Sequence, residues 1–252
     1  HAGDTVRTPH AEVRLLSETP SAAPGGTLWL GIRFDLAPHW HVYWRNPGDS
    51  GEPPRADWQL PAGWAAGEIR WPVPQRIPVG PLVNYGYEDS VTFLVPVEVA
   101  RDASGTARIG ADLSWLVCRE ECIPESGRVD IALPVAPDPG PSDPAFVTAR
   151  GLLPLAFNGD AGYRRADEGG LELHLEHTGW PLQQVAGAWF APFDWGPVSP
   201  SGAQAWSVAG DRLAIRLPPG EAPLAPGSVL AGLLVVTEDS ADGPLTRGFA
   251  LE

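Results

Sequence analysis

The chain has 252 residues, close to two domains at the usual ~150 residues each, and Gly and Pro occur 29 times apiece, which excludes long helices. With 43% hydrophobic and 19% charged residues it carries enough apolar content to offset chain entropy, so intrinsic disorder is excluded as well. Its 17 basic residues, all Arg, stand against 31 acids for a net charge of −14, which leaves no basic face for nucleic acid or an anionic membrane.

Apolar residues recur mainly at every second position, the pattern of strands with one face in a core. Leu28, Leu30, Ile32, Phe34 and Leu36 form the first clear run. Next, His39, His41 and Tyr43 alternate with Trp40, Val42 and Trp44, which as a strand places the first three on one face. Residues 47–51 and 72–74 are Pro- and Gly-rich breakers. Further alternating runs follow at 91–99, 109–117 and 129–135. Short strands between turn signals predict an antiparallel β-sandwich.

Residues 137–144 hold four prolines and a glycine and read as a stiff connector. Ser142 or Asp143 followed by Pro144 predicts the start of one short helix over 144–150, ended by Gly151. Alternation resumes at Leu171, Leu173 and Leu175, at Leu213, Ile215 and Leu217, and over 229–236. The expected fold is therefore all-β: two immunoglobulin-like β-sandwich domains, 1–138 and 139–252, joined by a Pro-rich linker with one short helix. The apolar runs fall far short of the ~18–20 residues that cross a bilayer. The chain begins at His1 without Met, and the expectation is a segment from which a leader was removed.

The two cysteines are Cys118 and Cys122. Two ligands do not make a structural zinc site, which wants four. In an extended strand they would lie ~13 Å apart, so a bond between them requires the chain to turn at residues 119–121. As a staple the bond is weak: closing a loop of ~5 residues is worth roughly 2 kcal/mol, against about 4.7 for ~100 residues. From spacing alone, a structural bridge and an exchanging pair stand level. Glu120 and Glu121 disfavour a thiolate, and Arg119 is the one local cation, which argues against a hyper-reactive thiol.

Four stretches in order carry a resemblance: Trp40-His41-Val42-Tyr43-Trp44 through Gly51, Ile69-Arg70-Trp71-Pro72-Val73-Pro74, Asn84-Tyr85-Gly86-Tyr87-Glu88, and Trp115 through Cys122-Ile123-Pro124. Together they resemble the N-terminal periplasmic region of DsbD-like transmembrane disulfide reductases, closest to the ScsB branch associated with copper tolerance. The resemblance implies a protein-disulfide reductase module without an organic cofactor. Electrons would arrive from the cognate transmembrane domain of the same parent protein and leave to thioredoxin-like periplasmic proteins. It implies a periplasmic location with a tether to the inner membrane. Cys122 then matches the attacking thiolate and Cys118 the resolving partner, Asn84, Tyr85, Gly86 and Tyr87 match a mobile cap loop over the sulfurs, and His41 and Tyr43 match supporting residues around the site. The second half resembles the extra domain of that branch and is expected to dock or space.

A second class of function competes: a periplasmic module binding sugar or copper, with a structural disulfide. Its supports are the closely spaced His39 and His41, which could ligate copper together with thiolates, and the seven tryptophans of residues 1–138. His174 and His177, three apart, fall on opposite strand faces and are not expected to act as a joint ligand pair.

Overall fold

A computed structural model describes residues 1–166, 169–176, 182–225, 227–241 and 243–252. His177 lies outside them. In chain order the elements are β1 (Ala2–Arg7), β2 (Ala11–Ser17), β3 (Thr27–Leu36), β4 (His41–Gly48), β5 (Arg55–Gln59), β6 (Ala65–Ala66), β7 (Gln75–Val79), β8 (Leu82–Glu88), β9 (Ser90–Glu98), β10 (Thr106–Cys118) and β11 (Cys122–Pro134). There follow α1 (Pro144–Gly151), β12 (Leu155–Ala156), β13 (Asp160–Arg165), β14 (Leu171–Glu176), β15 (Val185–Pro192), β16 (Ala205–Ala209), β17 (Arg212–Leu217), β18 (Gly232–Glu238) and β19 (Leu245–Leu251). The fold is all-β with one short α-helix among the described residues, as the alternating pattern predicts.

Two compact units emerge. The first comprises residues 1–45, 51–74 and 86–153; the second comprises 46–50, 75–85 and 154–252. The division passes through β4 and β8, so each strand contributes to both.

In the first unit one sheet runs β1-β2-β3-β9-β6, and the other runs β11-β10-β4-β8, with β5 added to β10. The alternation that predicted these strands is what fills the space between the sheets. Phe34 of β3 meets Phe93 of β9 edge-on at 5.8 Å and Trp115 of β10 at 5.3 Å, and Tyr87 of β8 meets Phe93 at 5.4 Å. Edge-to-face pairs of this kind add to the area that each ring buries.

The helix starts where the sequence predicts. The Asp143 carboxylate accepts a hydrogen bond from the Ala145 amide at 2.9 Å, and Pro144 occupies the first turn, where it loses no intrahelical bond. Phe146 and Ala149 bury against Leu94, and Arg150 pairs with Glu18 at 2.6 Å. The preceding Pro-rich segment lies along the first unit: the Ser21 amide donates to the Pro139 carbonyl and the Ser21 hydroxyl to that of Asp138. Proline removes donors and leaves carbonyls, so such a segment is held by the donors of its neighbours.

In the second unit the sheets run β12-β19-β18-β15 and β13-β14-β17-β16. Leu171, Leu173, Leu175, Leu213, Ile215 and Leu217 from one sheet share a core with Phe190, Leu234 and Val236 from the other. The strands anticipated at 171–175 and 213–217 pair directly, Leu173 opposite Ile215.

Candidate functional site

β10 and β11 form a hairpin whose ladder runs from Thr106 opposite Pro134 to Cys118 opposite Cys122. The turn is Arg119-Glu120-Glu121, with the Arg119 amide donating to the Glu121 carbonyl at 3.2 Å. The chain thus turns where a bond between the cysteines requires it, and Cys118 and Cys122 are joined with Cα atoms 4.2 Å apart. The ladder places the two cysteines opposite one another at its closing rung.

The two sulfurs have different surroundings. Cys118 is 2% exposed, whereas Cys122 lies at the solvent-exposed edge of the turn. Beneath them, His41 of β4 stands opposite Cys118 in register and is buried. Burial disfavours imidazolium, lowering the His41 pKa to about 4. The site's histidine is therefore neutral at pH 7. The Tyr43 ring meets His41 edge-on at 5.2 Å, and its hydroxyl lies 3.3 Å from Cys122 Sγ. Tyr43 is fully buried and depends on Gly51, where a Cβ would stand 2.1 Å from the ring and φ is +95°.

His41 and Tyr43, expected as supporting residues, thus lie at the pair, and Tyr43 touches sulfur. His39 does not share their face. It sits in the turn before β4 at φ 69°, exposed, so strand alternation does not juxtapose it with His41 as expected for a copper pair. Among the described residues no group of three His, Cys, Asp or Glu side chains is placed to hold a metal. The seven tryptophans of residues 1–138 are all buried or half-buried.

The expected cap loop takes a different form. Asn84, Tyr85, Gly86 and Tyr87 are not in a loop; they are consecutive buried residues of β8. In the first unit a Cβ on Gly86 would stand 2.2 Å from the Val42 carbonyl oxygen, so glycine here lets β8 approach β4 closely. Tyr87 donates to the Pro72 carbonyl at 2.7 Å and joins the aromatic core. In the second unit Asn84 accepts from the Ser50 amide and hydroxyl, at 3.2 and 3.0 Å, and Tyr85 stacks on Trp189 at 5.5 Å. Tyrosines with apolar faces suit a lid, and the same faces suit a strand between packed neighbours, which is the form they take.

A cluster that sequence spacing did not reveal flanks the turn. The Arg119 guanidinium lies over Trp40 at 5.5 Å, and the His10 ring packs on Trp40 at 3.9 Å. His10 Nδ1 is 2.8 Å from a Glu125 oxygen, and the Thr8 hydroxyl donates to the other at 2.5 Å. These residues are separated by as many as 117 positions and meet only through the sheets.

Residues 12–134 match the family model described as "Thiol:disulfide interchange protein DsbD, N-terminal". This region belongs to that family. The fold of the chain is similar to the N-terminal periplasmic domain of ScsB from Proteus mirabilis, with a TM-score of 0.70 and 20% identity over 99% of this chain and 97% of that one. A match to the sporulation control protein Spo0M from Bacillus subtilis, at 11% identity over 96% of this chain and 91% of that one, has a TM-score of 0.27 and carries no argument. Comparison with curated proteins gives no match. Residues 12–134 are therefore a DsbD-like N-terminal region, and the Cys118–Cys122 pair within it supports a thiol–disulfide exchange module; over its length the chain shares its fold with that ScsB domain.

Proposed function

We propose that this module is the periplasmic relay of a larger protein-disulfide reductase, receiving electrons from a transmembrane domain of its parent and passing them to thioredoxin-like proteins. The observation that carries the reading is the asymmetry of the pair: an exposed Cys122 and a buried Cys118 at the closing rung of one hairpin. In the reduced state the Cys122 thiolate attacks a partner disulfide and expels one partner thiolate. Cys118 then attacks Cys122 in the mixed disulfide, releasing the second thiol and leaving Cys118–Cys122 oxidised. Two electrons pass to the partner. Tyr43 supports Cys122 from the buried side through its hydroxyl, and β8 backs that side of the site where Gly86 packs on Val42. The second unit docks or spaces this machinery, and no chemistry is assigned to it.

Two measurements test this reading. The pair equilibrates with glutathione or thioredoxin-type buffers; a potential well below ~−300 mV marks a structural bond instead. Cys118→Ala traps a covalent adduct through Cys122 with thioredoxin-like partners, and failure to trap any of them removes the assigned roles.

A further inference from the structure

The turn that presents Cys122 has three charged residues, and the fold does not treat them alike. Arg119 is half of a stack: its guanidinium lies over Trp40, whose ring also packs against His10. Arg119 is exposed as well and keeps its charge in this contact, so it offsets one of the two carboxylates and leaves the turn net acidic. Glu120 and Glu121 are exposed, and among the described residues neither forms an ion pair. They immediately precede the exposed sulfur in the chain, well inside the ~10 Å over which charges act at ~0.1 M salt. On the hairpin itself Arg128 is paired with Asp130 at 2.9 Å and with Asp112 at 3.6 Å. Arg55 is paired with Glu52 at 3.4 Å, and Glu125 is bonded to His10 and Thr8. Glu52, Arg55 and Glu125 line a groove of about 270 Å³ together with Leu116 and Pro124 of the same hairpin. The histidine beneath the pair is neutral at pH 7.

We propose that Glu120 and Glu121 make the exchange site selective by charge, favouring disulfides with a cationic surround and disfavouring anionic ones such as glutathione disulfide. This rests on the exchange reading above and deepens it: a protein partner would present basic residues around its own disulfide, and the anionic glutathione pool would drain the reduced pair slowly. In each exchange the Cys122 thiolate forms a bond to one sulfur of the small disulfide, whose S–S bond breaks to release a thiolate. Cys118 then displaces the second thiolate, so the protein pair is oxidised and the small disulfide reduced by two electrons.

The test uses the full chain, reduced with dithiothreitol and freed of it, then mixed with cystamine (cationic), hydroxyethyl disulfide (neutral) or glutathione disulfide (anionic). Each rate is divided by the rate of the same disulfide with dithiothreitol, which removes differences in leaving-group reactivity. The expected result at low ionic strength is about a 10-fold preference for cystamine over glutathione disulfide, shrinking to within about 2-fold at ~0.5 M salt. Glu120→Gln with Glu121→Gln should abolish the preference, and Glu120→Arg with Glu121→Arg should invert it, with circular dichroism confirming the fold. Equal normalised rates in the unmodified chain, or a preference unchanged in the Gln variant, overturn charge selection while leaving exchange intact. No reaction with any of the three disulfides overturns the exchange reading itself, and this proposal with it.

Discussion

The hairpin of β10 and β11 and the hairpin of β16 and β17 obey the same pairing rule and differ at their closed ends. In the second unit, Ala209 stands opposite Arg212 around Gly210-Asp211, with Gly210 at φ 64°, the positive φ that tight two-residue turns demand. In the first unit the closing pair is Cys118 and Cys122, around a three-residue charged turn. Both ladders place their closing residues opposite one another; only one places sulfur there. A β-hairpin thus serves as a positioning device, and its chemistry is decided by the last rung and by what lies beneath it. Beneath the sulfurs are His41 and Tyr43, and in the second unit Leu213 and its neighbours make an apolar core.

The comparison is tested most forcefully by damaging the unit without sulfur. Phe190 is fully buried in the second core, and Phe190→Ala should cost about 3–5 kcal/mol there by cavity formation. Exchange at Cys118–Cys122 should be unchanged at temperatures where both units stay folded. A lowered exchange rate would break the assignment of all chemistry to the first hairpin.

Next in size is the effect of His41. Its folded pKa of about 4 lies below the ~6.5 of an unfolded histidine. Above pH 6.5 the two states bind the same number of protons at this group and it adds no slope. As pH falls from 6.5 to 4 the unfolded chain takes up a proton that the native site refuses, and stability falls by up to about 3 kcal/mol. Urea midpoints measured between pH 7 and 4 should show that decline, and His41→Phe should flatten it. Glu18 and Asp35, with carboxyls held below their ordinary values by Arg150 and Arg33, add a loss that sets in at lower pH.

Gly51→Ala sharpens the same point. A Cβ at φ +95° meets the Tyr43 ring, so a loss of about 2–3 kcal/mol is expected in urea unfolding. The smallest effect belongs to the helix cap. Asp143→Ala removes the bond to the Ala145 amide and should lower stability by about 1 kcal/mol in thermal unfolding, with exchange unaffected.

Much of the fold was legible because strand patterning is local. Leu28 to Leu36 announces β3 by alternation, and Asp143-Pro144 announces α1 by capping chemistry, since both signals are complete within a few residues. The site was only partly legible. The need for a turn at residues 119–121 follows from bond geometry and is met, whereas the form of 84–87 was misread because tyrosines suit a lid and a buried strand equally. The stack of His10, Trp40 and Arg119, and the service of Gly51 to Tyr43, had no local signal, because they depend on which strands become neighbours.

By itself, then, the sequence determined that this chain forms sheets and that a bond between its two cysteines demands a turn at residues 119–121. Those properties depend on residue types and on spacing within a strand or a turn. Tertiary structure alone decided which sulfur is exposed, that the nearby histidine is neutral, and that Arg119 lies over a tryptophan while Glu120 and Glu121 form no ion pair among the described residues. Burial, desolvation and ring packing arise only when distant strands come together, so no local stretch of chain encodes them.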